Sequence, residues 1–183
     1  SMGATSPSLS GISPYFFRTV PPDSVQGAVL GSVIAQDGVQ KLAVAVFNDE
    51  YGTNLRDVVV KTVKAAGVSV VYGEKDTFDP TETNFSTLAT SIKAAKPDAV
   101  LLIAFDQSKA IIKEFASQGI DTKTKLYMTD GNTADYSADF DAGLLKGATG
   151  TIPGAHPTTA FQARLKTVDS SLKDFTYSAE TYD

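Results

Sequence analysis

The chain has 183 residues, of which 42% are hydrophobic and 20% charged, and its formal net charge is −5. This length supports one hydrophobic core, and the chain lacks the clustered Lys and Arg of a phosphate-binding surface, so nucleic acid is not an expected partner. The absence of cysteine excludes disulfides and thiolate chemistry, and His156 is the single histidine. We therefore predict neither a bound metal nor a cofactor.

The first 21 residues are predicted to precede the main domain. Ser1-Met2 is typical of a cloning tag, residues 3–14 are rich in Ser, Gly and Pro and indicate a loop, and residues 15–20 have the composition of a short strand or hinge segment. A helix is expected from residue 22 to about residue 36. Residues 1–14 are expected to be loosely ordered, or packed differently from a longer parent protein.

Three short apolar segments then follow, and each stops at polar or aromatic residues. They are LAVAVF before Asn48-Asp49-Glu50-Tyr51-Gly52, AVLLIA before Phe105-Asp106-Gln107, and KLYM before Thr129-Asp130-Gly131-Asn132. The residues between them have helical spacing, with helices expected at 53–66, 84–96 and 106–118. Alternating strands and helices predict an α/β fold, a three-layer αβα sandwich with a mainly parallel sheet, which binds ligands at the carboxyl ends of its strands.

The remaining elements complete this pattern with shorter segments. Asp106 is predicted to cap the start of the helix at 106–118, and Asn84 or Thr83 is predicted to cap the start of the helix at 84–96. Further strands are expected at 68–72 and 148–153, a short helix around Tyr136 and Phe140, and helices at 160–171 and 176–183.

Four segments, in the order GATSPSL, YFFRTVPPDSVQG, VFNDEYGTNL and FTYSAETYD, give the chain a recognisable pattern. It resembles the branched-chain amino-acid type of type I periplasmic solute-binding protein, the ligand-capturing subunit of ABC importers. The most specific elements are FRT-x-P-x-D-x-x-Q-G and D-x-YG. The resemblance implies two lobes joined by hinge strands. Residues 22–175 would then form the second lobe, 1–21 would hold the tag, loop and hinge crossover from the first lobe, and 176–183 would begin the return to it.

The resemblance also implies a set of ligand-binding residues. Tyr51 would place its ring and hydroxyl against a ligand ammonium, Phe105 would supply a ring where relatives often carry Tyr, and Asp130 would pair with the ammonium. Thr5 and Ala4 match a segment that receives the ligand carboxylate. Each position also has an ordinary structural interpretation, because a Tyr or Phe at a strand end can cover the core and Asp-Gly is a common turn.

The implied function is non-catalytic capture of an amino acid or similar small polar solute for the membrane permease of an ABC importer. The implied location is periplasmic or extracellular, with a lipid anchor on the parent protein. Two alternatives remain open at this point: a ligand-sensing domain of a receptor with the same fold, and a small α/β hydrolase using Asp130 or Asp49. Self-association of a lone lobe through uncovered apolar surface is a further hypothesis.

Overall fold

The computed structural model describes residues 1–123, 125–154 and 156–182. Within those ranges five strands form one sheet in the order β2-β1-β3-β4-β5, and every neighbouring pair is parallel. The strands are β1 (Lys41–Val46), β2 (Ser69–Tyr72), β3 (Ala99–Ile103), β4 (Leu126–Met128) and β5 (Thr149–Gly150). The predicted parallel sheet is therefore confirmed.

Helices cover both faces of this sheet. The helices that pack there are α1 (Asp23–Gln36), α2 (Glu50–Ala65), α3 (Ser86–Ala95) and α4 (Ser108–Ser117). The chain also forms α5 (Thr159–Val168) and α6 (Ser178–Tyr182). The chain moves from β1 outward to β2, then back past β1 to β3, so right-handed crossovers place α2 and α3 on opposite faces. Since α1 packs on α2 and α3 packs on α4, the result is the three-layer sandwich that the sequence predicts.

The core lies in the middle of the sheet. Every residue of β3 is buried, as is every residue of β1 except Lys41. Strands covered by helices on both faces need apolar side chains at every position, which explains why LAVAVF and AVLLIA are continuous rather than alternating.

The N-cap residues of α3 and α4 differ from the predicted ones, and α2 begins earlier than predicted. Helix α2 begins at Glu50 rather than at 53, because the Asp49 carboxylate accepts a 2.6 Å hydrogen bond from the Gly52 amide and so caps the helix one turn earlier. Asp106 is not the N-cap of α4; that position belongs to Gln107. Phe85 is the N-cap position of α3, although Asn84 beside it accepts a hydrogen bond from the Ser86 amide.

Two predicted elements are absent from the described residues. Residues 15–20 do not form a strand, and Tyr15 and Phe17 are exposed, because a strand needs a neighbour to bond with and this segment does not join the sheet. The stretch around Tyr136 and Phe140 forms turns instead of a helix, although the two rings do contact each other with centroids 5.3 Å apart.

The N-terminal segment is not loosely ordered, contrary to one of our two expectations. Thr5 is buried, and its carbonyl accepts a 2.8 Å hydrogen bond from the Asp23 amide at the start of α1. The Arg18 guanidinium donates to the carbonyls of Ala4 and Ser6.

The described parts of the chain contain no helix long and apolar enough to cross a membrane.

Candidate functional site

The sheet order defines one place where a ligand-binding crevice is expected. From β1 the chain turns to β2 on one side, whereas β3 lies on the other side, so the connections diverge between β1 and β3. At such a switch point the loops leave the carboxyl ends of the strands in opposite directions and open a ligand-binding crevice. Tyr51 follows β1, Phe105 follows β3 and Asp130 follows β4. These three residues therefore flank the crevice.

Two aromatic rings form one wall of the crevice. The rings of Tyr51 and Phe105 are stacked, with centroids 5.5 Å apart and planes inclined by 18°. The buried ring of Phe47 supports Phe105 from below at a centroid distance of 5.0 Å. Phe105 nevertheless remains 45% exposed, so part of its side chain is open to solvent.

A glycine lets the Phe105 ring lie against the chain that carries Asp130. A Cβ atom at Gly131 would lie 2.7 Å from the Phe105 ring and 3.0 Å from the Ala104 carbonyl oxygen. Both distances are shorter than ordinary contact, so a larger residue would push the ring away. The Asp-Gly pair that resembles a common turn in the sequence thus brings the carboxylate and the ring together.

The Asp130 carboxylate lies at the centre of a hydrogen-bond network. Its Oδ1 atom accepts from the Tyr51 hydroxyl at 2.6 Å and from Gln26 Nε2 at 2.9 Å, and its Oδ2 atom accepts from the Tyr177 hydroxyl at 2.5 Å. Asp130 is only partly buried. Neutral donors fix the orientation of a carboxylate and stabilise its charge, so this one is held in place while staying open to a cation.

Burial raises the pKa of the Tyr51 phenol well above its usual value, and the neighbouring Asp130 carboxylate raises it further. The pKa of Tyr177 rises for the same two reasons. Both phenols therefore keep their protons at neutral pH and remain hydrogen-bond donors to Asp130.

The sequence prediction of Tyr51, Phe105 and Asp130 at a common edge agrees with where the structure places them. Thr5 and Ala4 lie in the segment before α1, and the Thr5 carbonyl accepts a hydrogen bond from Asp23, the first residue of that helix. The Ala4 amide donates to Ser1 Oγ at 3.2 Å and the Ala4 carbonyl accepts from Arg18. Their assignment to a ligand carboxylate stays a prediction.

Two residues of the network were not predicted from the sequence. Gln26 and Tyr177 both contact Asp130, and both lie in segments that carry the family resemblance, YFFRTVPPDSVQG and FTYSAETYD. Tyr177 has a φ of +62°, in the left-handed region that non-glycine residues rarely adopt. The hydrogen bond to Asp130 helps to hold this conformation.

A sequence profile of the periplasmic binding proteins matches residues 2–173. The chain belongs to the periplasmic binding protein family. The resemblance inferred from its motifs is thereby confirmed. A family of binding proteins favours ligand capture over the small hydrolase that the sequence left open.

Solved structures show the same fold for this periplasmic binding protein. A solute-binding protein of an ABC transporter from R. palustris, in complex with 4-hydroxybenzoate, matches with a TM-score of 0.77 at 20% identity, over 100% of this chain and 51% of that one. A putative branched-chain amino acid ABC transporter protein from Rhodospirillum rubrum matches with a TM-score of 0.79 at 17% identity, over 97% and 52%. A leucine-binding protein from Thermotoga maritima matches with a TM-score of 0.61 at 20% identity, over 69% and 36%. The chain thus spans about half the length of the first two.

Proposed function

We propose that this chain is the ligand-binding lobe of an extracytoplasmic solute-binding protein that captures an amino acid, or a similar small polar solute with an ammonium group, for an ABC importer. The observation that carries the proposal is the position of Asp130. Its carboxylate is oriented by three donors, and it lies beside the Tyr51–Phe105 ring pair.

A carboxylate next to an aromatic face is suited to a cation. The ligand ammonium would donate to the partly exposed Asp130 carboxylate and contact the Phe105 ring face, where the negative face of the ring attracts positive charge. The ligand carboxylate would point away from Asp130, because two like charges in one crevice repel each other. Residues 3–5 remain the proposed carboxylate-binding segment, because the family resemblance assigns the ligand carboxylate to them.

A second lobe would form the other wall of the cleft, since the solute-binding proteins from R. palustris and Rhodospirillum rubrum are about twice as long as this chain. Closure of two lobes about a hinge would bury the ligand, and the ligand would stabilise the closed state. The same proposal includes delivery of the ligand to a membrane permease. It also includes a periplasmic or extracellular location and a lipid anchor on the parent protein. A single lobe leaves its ligand half solvated, so we expect affinity in the millimolar range for this chain.

A hydroxylated aromatic acid is the second candidate ligand. The Phe105 ring is 45% exposed and can stack on a ligand ring. One solved neighbour was crystallised with 4-hydroxybenzoate. In this case the ligand hydroxyl, rather than an ammonium, would donate to Asp130.

Nuclear magnetic resonance titration of the amide resonances distinguishes these ligands, because it detects millimolar binding and locates it. The ligands are chosen in matched sets: leucine, isoamylamine (which lacks the carboxylate) and 4-methylpentanoate (which lacks the amine), followed by 4-hydroxybenzoate and benzoate. We expect leucine and isoamylamine to shift the amides of residues 50–52 and 129–132, and 4-methylpentanoate to leave them unchanged.

The other outcomes decide between the candidates. Shifts with 4-hydroxybenzoate and none with leucine, isoamylamine or benzoate would replace the amino acid with a hydroxylated aromatic acid. Shifts that lie away from these residues for every ligand would overturn the proposed site.

A further inference from the structure

One acidic side chain that the proposed ligand site does not use is Asp23, the first residue of α1. It is 0% exposed, and neither of its carboxylate oxygens lies within hydrogen-bonding distance of a donor among the described residues, although the nearby Thr5 hydroxyl favours its ionised form. The ion pairs found in those residues are Arg56–Asp57, Lys64–Glu74 and Lys109–Asp139, and none involves Asp23. A buried carboxylate that lacks both a close donor and an ion-pair partner is costly, so the ionised form of Asp23 is disfavoured here.

The charged and titratable groups around Asp23 do not supply that missing partner. Arg18, from the preceding segment, uses its guanidinium on the carbonyls of Ala4 and Ser6. Asp130, after β4, faces Asp23 with a like charge, and the Tyr177 phenol lies near it from the C-terminal segment, next to Glu180. Burial raises the pKa of Asp23 to about 6, and Asp130 adds to this rise, whereas the Thr5 hydroxyl and Arg18 oppose it.

A third buried atom without a hydrogen-bond partner, Gln26 Oε1, lies one helical turn away. Gln26 donates its Nε2 group to Asp130 Oδ1 at 2.9 Å, to the Thr151 carbonyl at 3.0 Å and to Thr151 Oγ1 at 3.3 Å. These acceptors fix the orientation of the amide, which leaves Gln26 Oε1 buried without a donor. Residues three apart on a helix share a face, so Asp23 and Gln26 are neighbours on α1.

One proton removes the charge of Asp23 and supplies a donor for Gln26 Oε1. A protonated Asp23 has a hydroxyl to donate and no charge to bury, and Gln26 Oε1 is an acceptor that needs a donor. We propose that Asp23 is a buried proton-binding site of the folded chain, that its proton is donated to Gln26 Oε1, and that a cationic ligand at Asp130 causes its release.

The release follows from the charge of Asp130. When the Asp130 site is empty, its negative charge opposes ionisation of Asp23. When a ligand ammonium neutralises that charge, ionisation of Asp23 becomes easier, and linkage then requires ligand affinity to rise as pH rises through the titration of Asp23. This last step rests on the proposed function, whereas the proton site does not.

The proton site is tested without ligand by ¹³C nuclear magnetic resonance of the side-chain carboxyl groups between about pH 4 and pH 8. The Asp23 resonance is assigned by its loss in the Asp23→Asn variant. We expect its midpoint near pH 6, far above the ordinary value of 3.8. A midpoint below about pH 4.5 would overturn the proposal.

Thermal unfolding gives a second measurement of the proton site. The folded chain holds the Asp23 proton more tightly than the unfolded chain does, so this group favours folding fully below about pH 4 and loses that contribution as pH rises to about 6. The amide of Asp23→Asn can donate to Gln26 Oε1 and does not titrate, so this variant should lose that part of the pH dependence. The exposed Asp76→Asn variant is the matched control and should keep it. An unchanged pH profile in Asp23→Asn contradicts the proposal.

Titration with isoamylamine at several pH values tests the coupling. Its affinity should rise several-fold between about pH 5 and pH 7 in the wild-type chain and stay flat in Asp23→Asn. Binding that is independent of pH in the wild type overturns the coupling. If the amine fails to bind at any pH, the ligand assignment is wrong and the coupling with it, while the carboxyl titration still decides whether Asp23 holds a proton.

Discussion

The Tyr51 hydroxyl donates a 2.6 Å hydrogen bond to Asp130 Oδ1, although the two residues are 79 positions apart in the chain. The bond joins the first turn of α2 to the end of β4 across the intervening strand β3. Because the Tyr51 ring also stacks on Phe105, one side chain connects the polar and aromatic parts of the candidate site.

Asp130→Asn should remove the negative charge of the site while keeping its shape. A charge-assisted hydrogen bond contributes about 1.5–3 kcal/mol, so we expect the affinity for isoamylamine to fall about tenfold or more. Amide-shift titration measures the change. Asp135→Asn, at an exposed carboxyl in the following loop, is the control and should bind like the wild type. An Asp130→Asn variant of unchanged affinity would show that this carboxylate does not contact the ammonium.

Tyr51→Phe should destabilise the fold while leaving the ring stack in place. The change removes a partly buried donor from a carboxylate that keeps its charge, which costs about 1–3 kcal/mol. Urea unfolding measures the difference. The control is Tyr15→Phe, because Tyr15 is 89% exposed, and its stability should match that of the wild type. Equal stability of the two variants would mean that the Tyr51–Asp130 bond contributes nothing net.

Phe105→Ala should weaken amine binding several-fold with little loss of stability. Its ring is 45% exposed, and a cation over an aromatic ring gains about 0.5–2 kcal/mol. Phe105→Tyr keeps the ring face and should bind at least as tightly as the wild type. Phe17→Ala removes another exposed ring outside the crevice and serves as the control. The ring contact is refuted if Phe105→Ala binds isoamylamine as well as Phe17→Ala does.

Gly31→Ala should destabilise the packing of α1 on α2. The added Cβ atom would lie 2.7 Å from the Thr62 Cβ atom and 3.3 Å from the Val59 carbonyl oxygen. Overpacking of this kind costs about 1–3 kcal/mol, which exceeds the gain of about 1 kcal/mol in helix propensity. The free energy of unfolding should therefore fall, whereas the exposed control Ser32→Ala in the same helix should not lower it by more than a few tenths of a kcal/mol. A more stable Gly31→Ala variant would show that α1 can move away from α2 without loss.

The main strands were predictable from sequence because each carries a signal that survives without tertiary information. LAVAVF and AVLLIA are apolar at every position, as only strands covered on both faces can be. Their polar ends mark where the chain leaves the sheet. Since parallel strands end at one edge, Tyr51, Phe105 and Asp130 were predictable as neighbours.

Other parts of the structure were not predictable because their partners are distant in sequence. Gln26 is 104 positions from Asp130, and Tyr177 is 47 positions from it. Neither residue follows a strand. Residues 15–20 have strand-like composition but do not join the sheet, and composition alone does not show which segments find a pairing partner.

The amino-acid sequence by itself determined the layers of the fold and the sheet edge where Tyr51, Phe105 and Asp130 meet, because periodicity and strand ends are local properties. The family resemblance, rather than periodicity, singled out those three residues for the candidate site. Tertiary structure alone decided how the Asp130 carboxylate is held and that Asp23 is buried without a partner. Those features depend on which side chains from distant segments come into contact. A local sequence pattern does not specify contacts between residues that are far apart in the chain.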